Sequence, residues 1–193
     1  MGFPSSHDIF PEIFDAYLLV LGKLLRAGNE VLIVTKPRFE CIQAICAAGQ
    51  FFKDKIIFRF TIGAMDDAVL GIWENSAPSF EERKASLQYA FDSGFRTSVS
   101  MEPMLDTAHI DQLIEELKPF VTEDIWLGTM NHTDNIKKWA DESLMAELDK
   151  IEKNQSPEIL TALYLTHNDD PLIKWKTDAF KIVETALKQA DKN

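Results

Sequence analysis

The feature that most constrains this chain is an alternation. Short runs of β-branched and aromatic residues are separated by longer stretches whose apolar side chains recur at helical spacing. Residues 11–26 carry Ile13, Phe14, Tyr17, Leu18, Leu21, Leu24 and Leu25, which fall on one face of a 3.6-residue turn. Gly28 and Asn29 follow, residues suited to the position just past a helix end. Val31-Leu32-Ile33-Val34 comes next, a run suited to a buried parallel strand. The unit repeats. A helix over 39–49 leads to the strand Ile56-Ile57-Phe58-Arg59-Phe60-Thr61-Ile62, and a connection over 64–78 leads to Ser79 with Glu82 three places on, the pattern of a capping box. That helix stops at Ser93-Gly94, before a strand at 97–100. A helix over 109–119 and the strand Ile125-Trp126-Leu127-Gly128 complete the series, and helices are expected over 134–153, 157–166 and 177–190. Strand, helix, strand at this spacing predicts parallel strands joined by crossover helices. The expectation is therefore one α/β domain over 1–193, a partial (β/α) barrel with a helical C-terminal third.

Charge and cysteine usage narrow the function classes. The net charge is −11, and no basic stripe of the kind a nucleic-acid binder needs to neutralise phosphates stands out, so nucleic acid is not an expected partner. No apolar run reaches the roughly 18 residues of a membrane helix, and no secretory signal pattern opens the chain. Cys41 and Cys46 fall in one expected helix and point in different directions, so no disulfide is predicted between them and a reducing, cytoplasmic setting is expected. Their spacing matches no zinc or cluster motif. Glycine-rich phosphate loops, Gly-x-Ser-x-Gly and His-Glu-x-x-His are absent.

Parallel α/β sheets place their sites at the carboxyl ends of the strands, and each such end here is polar. A strand stub at 1–4 precedes Ser5-Ser6-His7-Asp8. Thr35-Lys36-Pro37 follows the next strand. Thr61 and Gly63 follow the third, Ser100, Glu102 and Pro103 the fourth, and Thr129, Asn131 and His132 the fifth. Lys36 could bind a carboxylate or phosphate as a point charge, or form a Schiff base; an ion pair with Glu102 or Asp8 is the plainer account. Glu102 could act as a base or bind a ribose or an amine. His7-Asp8 and His132 are candidate proton carriers or metal ligands. Arg59, inside an apolar strand, requires a partner or a cleft. Trp73-Glu74 could close over the site.

These segments resemble a known family. Thr35-Lys36-Pro37, Phe58-Arg59-Phe60-Thr61-Ile62, Trp73-Glu74 with Ala77-Pro78-Ser79 and Glu82-Arg83, and Gly94 before Ser98-Val99-Ser100-Met101-Glu102-Pro103-Met104 look like successive pieces of radical S-adenosylmethionine proteins. The branch they look most like includes spore photoproduct lyase. Ile125-Trp126-Leu127-Gly128 with Met130-Asn131, and Ile173-Lys174-Trp175-Lys176, are similar to the same branch, so the likeness runs from about Phe3 to Val183. It implies a partial (β/α)6 barrel. In that family a Cys-x-x-x-Cys-x-x-Cys triplet after the first strand holds a [4Fe–4S] cluster, which reduces S-adenosylmethionine to release a 5′-deoxyadenosyl radical. The triplet is absent here, and Cys41 and Cys46 cannot replace it. By position, the resemblance implies S-adenosylmethionine contacts at Ser6, Lys36 and Thr61, where family members often have serine; Glu102 joins them as a cofactor-binding candidate.

The leading expectation is thus a radical S-adenosylmethionine-like domain, catalytically incomplete by itself, that keeps part of a cleft for a nucleoside or other small molecule. No cluster is expected on this chain. A sheet lacking its first strands would expose an edge, to be covered by a homo-oligomer or a missing N-terminal segment. Two alternatives come from other classes: a barrel lyase or aldolase using Lys36 as Schiff-base amine with Glu102 as proton carrier, and a non-enzymatic interaction domain.

Overall fold

The computed structural model describes residues 2–4 and 7–190. Among them, five strands form one parallel sheet: β1 Val31–Thr35, β2 Ile56–Thr61, β3 Arg96–Met101, β4 Ile125–Leu127 and β5 Ile173–Trp175. Their order in space is β1-β2-β3-β4-β5, the order of the chain. A doubly wound sheet reverses direction at a switch point; this one does not. Its winding is that of a (β/α) barrel left open.

The helices are α1 Phe14–Arg26, α2 Phe39–Gly49, α3 Asp67–Trp73, α4 Phe80–Asp92, α5 Ile110–Leu117, α6 Thr133–Lys137, α7 Glu142–Asn154, α8 Pro157–His167 and α9 Thr177–Ala190. Burial alternates along β1 and β2. Val31, Ile33, Ile56, Phe58 and Phe60 are buried, whereas Leu32, Val34, Ile57, Arg59 and Thr61 are only partly so. Successive side chains on a strand point to opposite faces, so one face of the sheet is covered and the other is partly open. The covered face shares one core with Ile42 and Ile45 of α2 and Leu87 and Ala90 of α4. Phe58 anchors it, with ring centroids 5.4 Å from both Phe60 and Phe95.

Local signals act largely as their chemistry dictates. Gly28 and Gly94 adopt φ of 91° and 80° just past α1 and α4, the left-handed conformation glycine tolerates. Ser79 caps α4 through the Glu82 amide at 3.3 Å, and Ser156 caps α8 with Pro157 in its first turn. The capping box at Ser79 is only half formed. Glu82 Oε1 instead accepts the Phe39 amide at 3.0 Å, because Arg38 at the start of α2 offers no side-chain cap and that orphan donor needs an acceptor.

Two expectations need correction, and two features add to the rest. The helix expected over 134–153 is two helices, broken where Asp141 caps α7 through the Leu144 amide at 2.8 Å. The connection over 64–78 contains α3, capped by Asp66. The helical C-terminal third also holds β5, three residues whose apolar run is broken by an exposed lysine in the middle. The strand stub expected at 1–4 touches the β1 edge at one point: Gly2 bridges Leu32 in parallel, the Phe3 amide donates to the Leu32 carbonyl at 2.8 Å, and the Phe3 ring stacks on Tyr17 at 4.8 Å. No helix among the described residues is long and apolar enough to cross a membrane.

Acid sensitivity follows from the ion pairs that staple the loops. Arg96 grips Glu123 with two hydrogen bonds of 2.9 and 2.8 Å, which hold the Glu123 carboxyl below the usual carboxylate range, although partial burial opposes the shift. Lys118 does the same to Asp170. A carboxyl whose folded pKa is depressed contributes stability above its unfolded value, here the ordinary 4.5, and loses it as pH falls through the folded value. Half-exposed pairs of this kind are worth about 0.2–1 kcal/mol. Thermal melts of wild type and Glu123→Gln should therefore differ at pH 7 and converge as pH falls below 4.5 and through the lowered folded value; a gap that does not shrink on acidification would refute the assignment.

Candidate functional site

The register aligns the carboxyl ends of the strands. Thr35 pairs with Phe60, Thr61 with Ser100, Met101 with Leu127 and Leu127 with Trp175. Two hollows open along this rim. One, of about 440 Å³, is walled by Phe10, Trp73, Leu105, Met130 and Ile136, with Asn75, Ser76, Arg38 and Asn131 as polar groups. The other, of about 430 Å³, is lined by Pro4, His7, Val34, Thr35 and Thr61. Asp8 and Lys36 line both. The volumes lie in the range of small-molecule sites; the larger hollow mixes apolar walls with polar groups, and the smaller is mainly polar.

Asp8 organises the junction. Its Oδ1 accepts the Lys36 amide at 2.7 Å and the Thr35 hydroxyl at 3.2 Å, and its Oδ2 meets Lys36 Nζ at 3.4 Å. Both side chains remain a little over a quarter exposed. The partner of Lys36 is therefore Asp8, not Glu102. Glu102 instead pairs with Lys176, beyond β5, at 2.7 Å, and the two pack over Gly128, where an added Cβ would lie 2.9 Å from Glu102 Cγ and 3.0 Å from Lys176 Cγ. Lys36 and Thr61 thus share a hollow, while Glu102 stands farther along the rim and only its neighbour Pro103 enters the larger cleft. Ser6 lies outside the described residues. Trp73 and Glu74 line the cleft.

Arg59 finds its partners on the open face of the sheet. It donates to Ser98 Oγ at 2.8 Å and to Asp124 at 2.9 Å. Its guanidinium lies 5.3 Å from the Trp126 ring, and Lys176 Nζ lies 5.2 Å from the same ring. These cation–π contacts link β2, β4 and the end of β5 into a charged ladder across the face.

A residue to which the sequence assigns no role beyond the family likeness, Arg83, anchors a wall of the cleft. Arg83 is fully buried. Its Nε donates to the Pro78 carbonyl at 2.8 Å, and its Nη1 donates to Glu74 Oε2 at 2.5 Å and to the Thr61 carbonyl at 3.2 Å. It therefore ties the segment from Glu74 to Pro78 to the end of β2. The signal was present: Arg83 sits three residues after Phe80 and four before Leu87, within the apolar stripe of α4.

The cysteines do not fit an iron–sulfur cluster. Cys41 and Cys46 are buried in the core side of α2, and burial pushes their thiols up to about 11 and about 12; cluster ligands are thiolates. Among the described residues no group of three or more His, Cys, Asp or Glu could hold a metal ion. His7 Nδ1 lies 2.9 Å from the Asp8 carbonyl oxygen, and His132 begins α6 in a left-handed conformation with φ of 60°.

No protein-family model matches the sequence. Among curated proteins it is similar to the uncharacterized protein ORF301 of Acidianus two-tailed virus, with 26% identity over 163 residues. The match takes in 80% of this chain and 54% of the viral protein, so the chain spans about half the length of that relative.

Proposed function

We propose that this chain binds S-adenosylmethionine or a closely related nucleoside at the Asp8–Lys36 junction, as a radical S-adenosylmethionine-like partial barrel that cannot perform the radical step by itself. The observation that carries the reading is the opposed pair of charges 3.4 Å apart where two hollows of ligand size meet. A zwitterionic amino-acid group complements such a pair: Lys36 would take its carboxylate and Asp8 its ammonium, with Thr61 as a nearby hydroxyl. The apolar walls and the amides of Asn75 and Asn131 suit a planar base. The family's radical chemistry draws its electron from a cluster, and Cys41 and Cys46 are poor ligands for one, so on this reading the cluster is not held by these thiols. A Schiff-base role for Lys36 with Glu102 as proton carrier has no support in the geometry, since each is engaged in its own ion pair.

Calorimetry tests the reading. Wild-type protein should bind S-adenosylmethionine and S-adenosylhomocysteine, and Lys36→Ala should weaken binding about tenfold or more, equivalent to about 1.4 kcal/mol. Asp8→Asn should weaken it comparably. Absence of binding at millimolar ligand, or wild-type affinity in Lys36→Ala, would defeat the proposal. Anaerobic treatment with iron and sulfide should leave no stable [4Fe–4S] absorbance.

A further inference from the structure

The two loops that form one side of the larger cleft come from different strands. Pro103 and Leu105 follow β3, while Met130 and Asn131 follow β4. Between them lies a single buried carboxamide. Gln155, the residue that ends α7, is 9% exposed. Its Nε2 donates to the Met104 carbonyl at 2.8 Å, and its Oε1 accepts the Met130 amide at 2.9 Å. The orientation of the amide is fixed by its partners, because one is an acceptor only and the other a donor only.

We propose that Gln155 is a positioning residue that sets the separation of these two loops and hence the shape of the cleft. The inference rests on the ligand-binding reading for its consequence, but not for its geometry. A neutral carboxamide supplies one donor and one acceptor at once. Glutamate keeps the acceptor and, when ionised, loses the donor. Leucine keeps the bulk and loses both, leaving the part-buried Met130 amide unpaired and the Met104 carbonyl with only the Thr107 hydroxyl at 3.5 Å. The second tie from the same helix supports the role: Glu152, one turn earlier, pairs with Lys137 at 2.7 Å and so holds α6, whose Ile136 faces the cleft. The C-terminal helices thereby act on the rim of the sheet.

The test compares wild type, Gln155→Leu and Gln155→Glu as full chains. Amide hydrogen exchange at Met130 is followed by NMR, affinity for S-adenosylmethionine by calorimetry, and folding by thermal melts. Exchange at Met130 should rise about tenfold or more in Gln155→Leu and stay near wild type in Gln155→Glu, which retains the acceptor. Affinity should fall about tenfold in Gln155→Leu and less in Gln155→Glu, at a temperature where both are folded. Unchanged Met130 exchange in Gln155→Leu overturns the proposal. So does unchanged affinity in that variant while wild type binds, since a merely structural residue would lower the melting temperature and leave affinity alone. If wild type binds no S-adenosylmethionine, the ligand reading falls and the exchange ordering still decides the clamp. Should Gln155→Leu fail to fold, the clamp is judged on Gln155→Glu: affinity below wild type with Met130 protected supports it, and wild-type affinity overturns it.

Discussion

Replacing Arg83 with methionine is expected to cost about 3–5 kcal/mol of stability, the usual penalty for breaking a buried ion pair from one side. The argument rests on what is left behind. The Glu74 carboxylate is only 8% exposed, so it loses its counter-charge in a place water barely reaches. The carbonyls of Thr61 and Pro78 lose their donors at the same time. Arg83 Nη2 is itself buried without a partner among the described residues, so the intact pair carries an uncompensated desolvation cost of its own. That makes a second outcome informative: the double variant Arg83→Met, Glu74→Leu should recover much of the loss, because it removes both charges together. Urea denaturation of the three proteins measures this. A single variant within about 1 kcal/mol of wild type, well under the range for a broken buried pair, would show that the pair is not the tie it looks to be. The same substitution should weaken ligand binding, since Trp73 and Glu74 stand on the wall that Arg83 anchors.

The contrast between Arg83 and Lys36 shows which parts of this molecule a linear reading reaches. Lys36 is legible because it directly follows a β-branched run, and the strand period places it beside Thr61. The longer helices are legible because each has enough residues for its period to appear, β1, β2 and β4 because each is an apolar run, and Gly28 and Gly94 mark turns between them. β5 is not, because the exposed Lys174 interrupts the apolar run that the equally short β4 keeps unbroken. That miss has a consequence at the rim. Lys176 follows β5, so without β5 there was no reason to bring Lys176 to Glu102, and Lys36 was left as the nearer candidate for that carboxylate. Arg83 and Gln155 escaped for a different reason. The place of Arg83 in the α4 stripe marks it as buried, but its tie to the Thr61 carbonyl, like both bonds of Gln155, reaches a backbone group more than twenty residues away, and backbone partners carry no signature in a sequence. The break between α6 and α7 was readable from Asp141 as a cap, but the apolar period continues across it and masks the stop.

Gly63→Ala is expected to destabilise by about 1–3 kcal/mol, the range for forcing a group into a packed site, and to distort the cleft. Gly63 lies just past β2. A Cβ built on it would fall 2.5 Å from the Pro103 carbonyl oxygen and 3.2 Å from Leu105 Cγ. The first of these is a backbone atom in a loop held on both sides, by the Leu105 amide on the Gly63 carbonyl and by the Met104 amide on the Gly128 carbonyl, each at 2.9 Å. No rotamer change relieves such a contact, so the loop after β3 must move, and Pro103 and Leu105 move with it into the space they now bound. Gly71 offers the opposite case in the same connection. It lies in α3, and an added Cβ there meets nothing within 4 Å, so Gly71→Ala should be neutral or stabilising by up to about 1 kcal/mol through helix propensity. The melting temperature should therefore fall in Gly63→Ala and stay level or rise in Gly71→Ala, and only Gly63→Ala should lower affinity for S-adenosylmethionine. Equal shifts in both would mean that β2 and β3 do not approach as closely at the rim as the cleft requires.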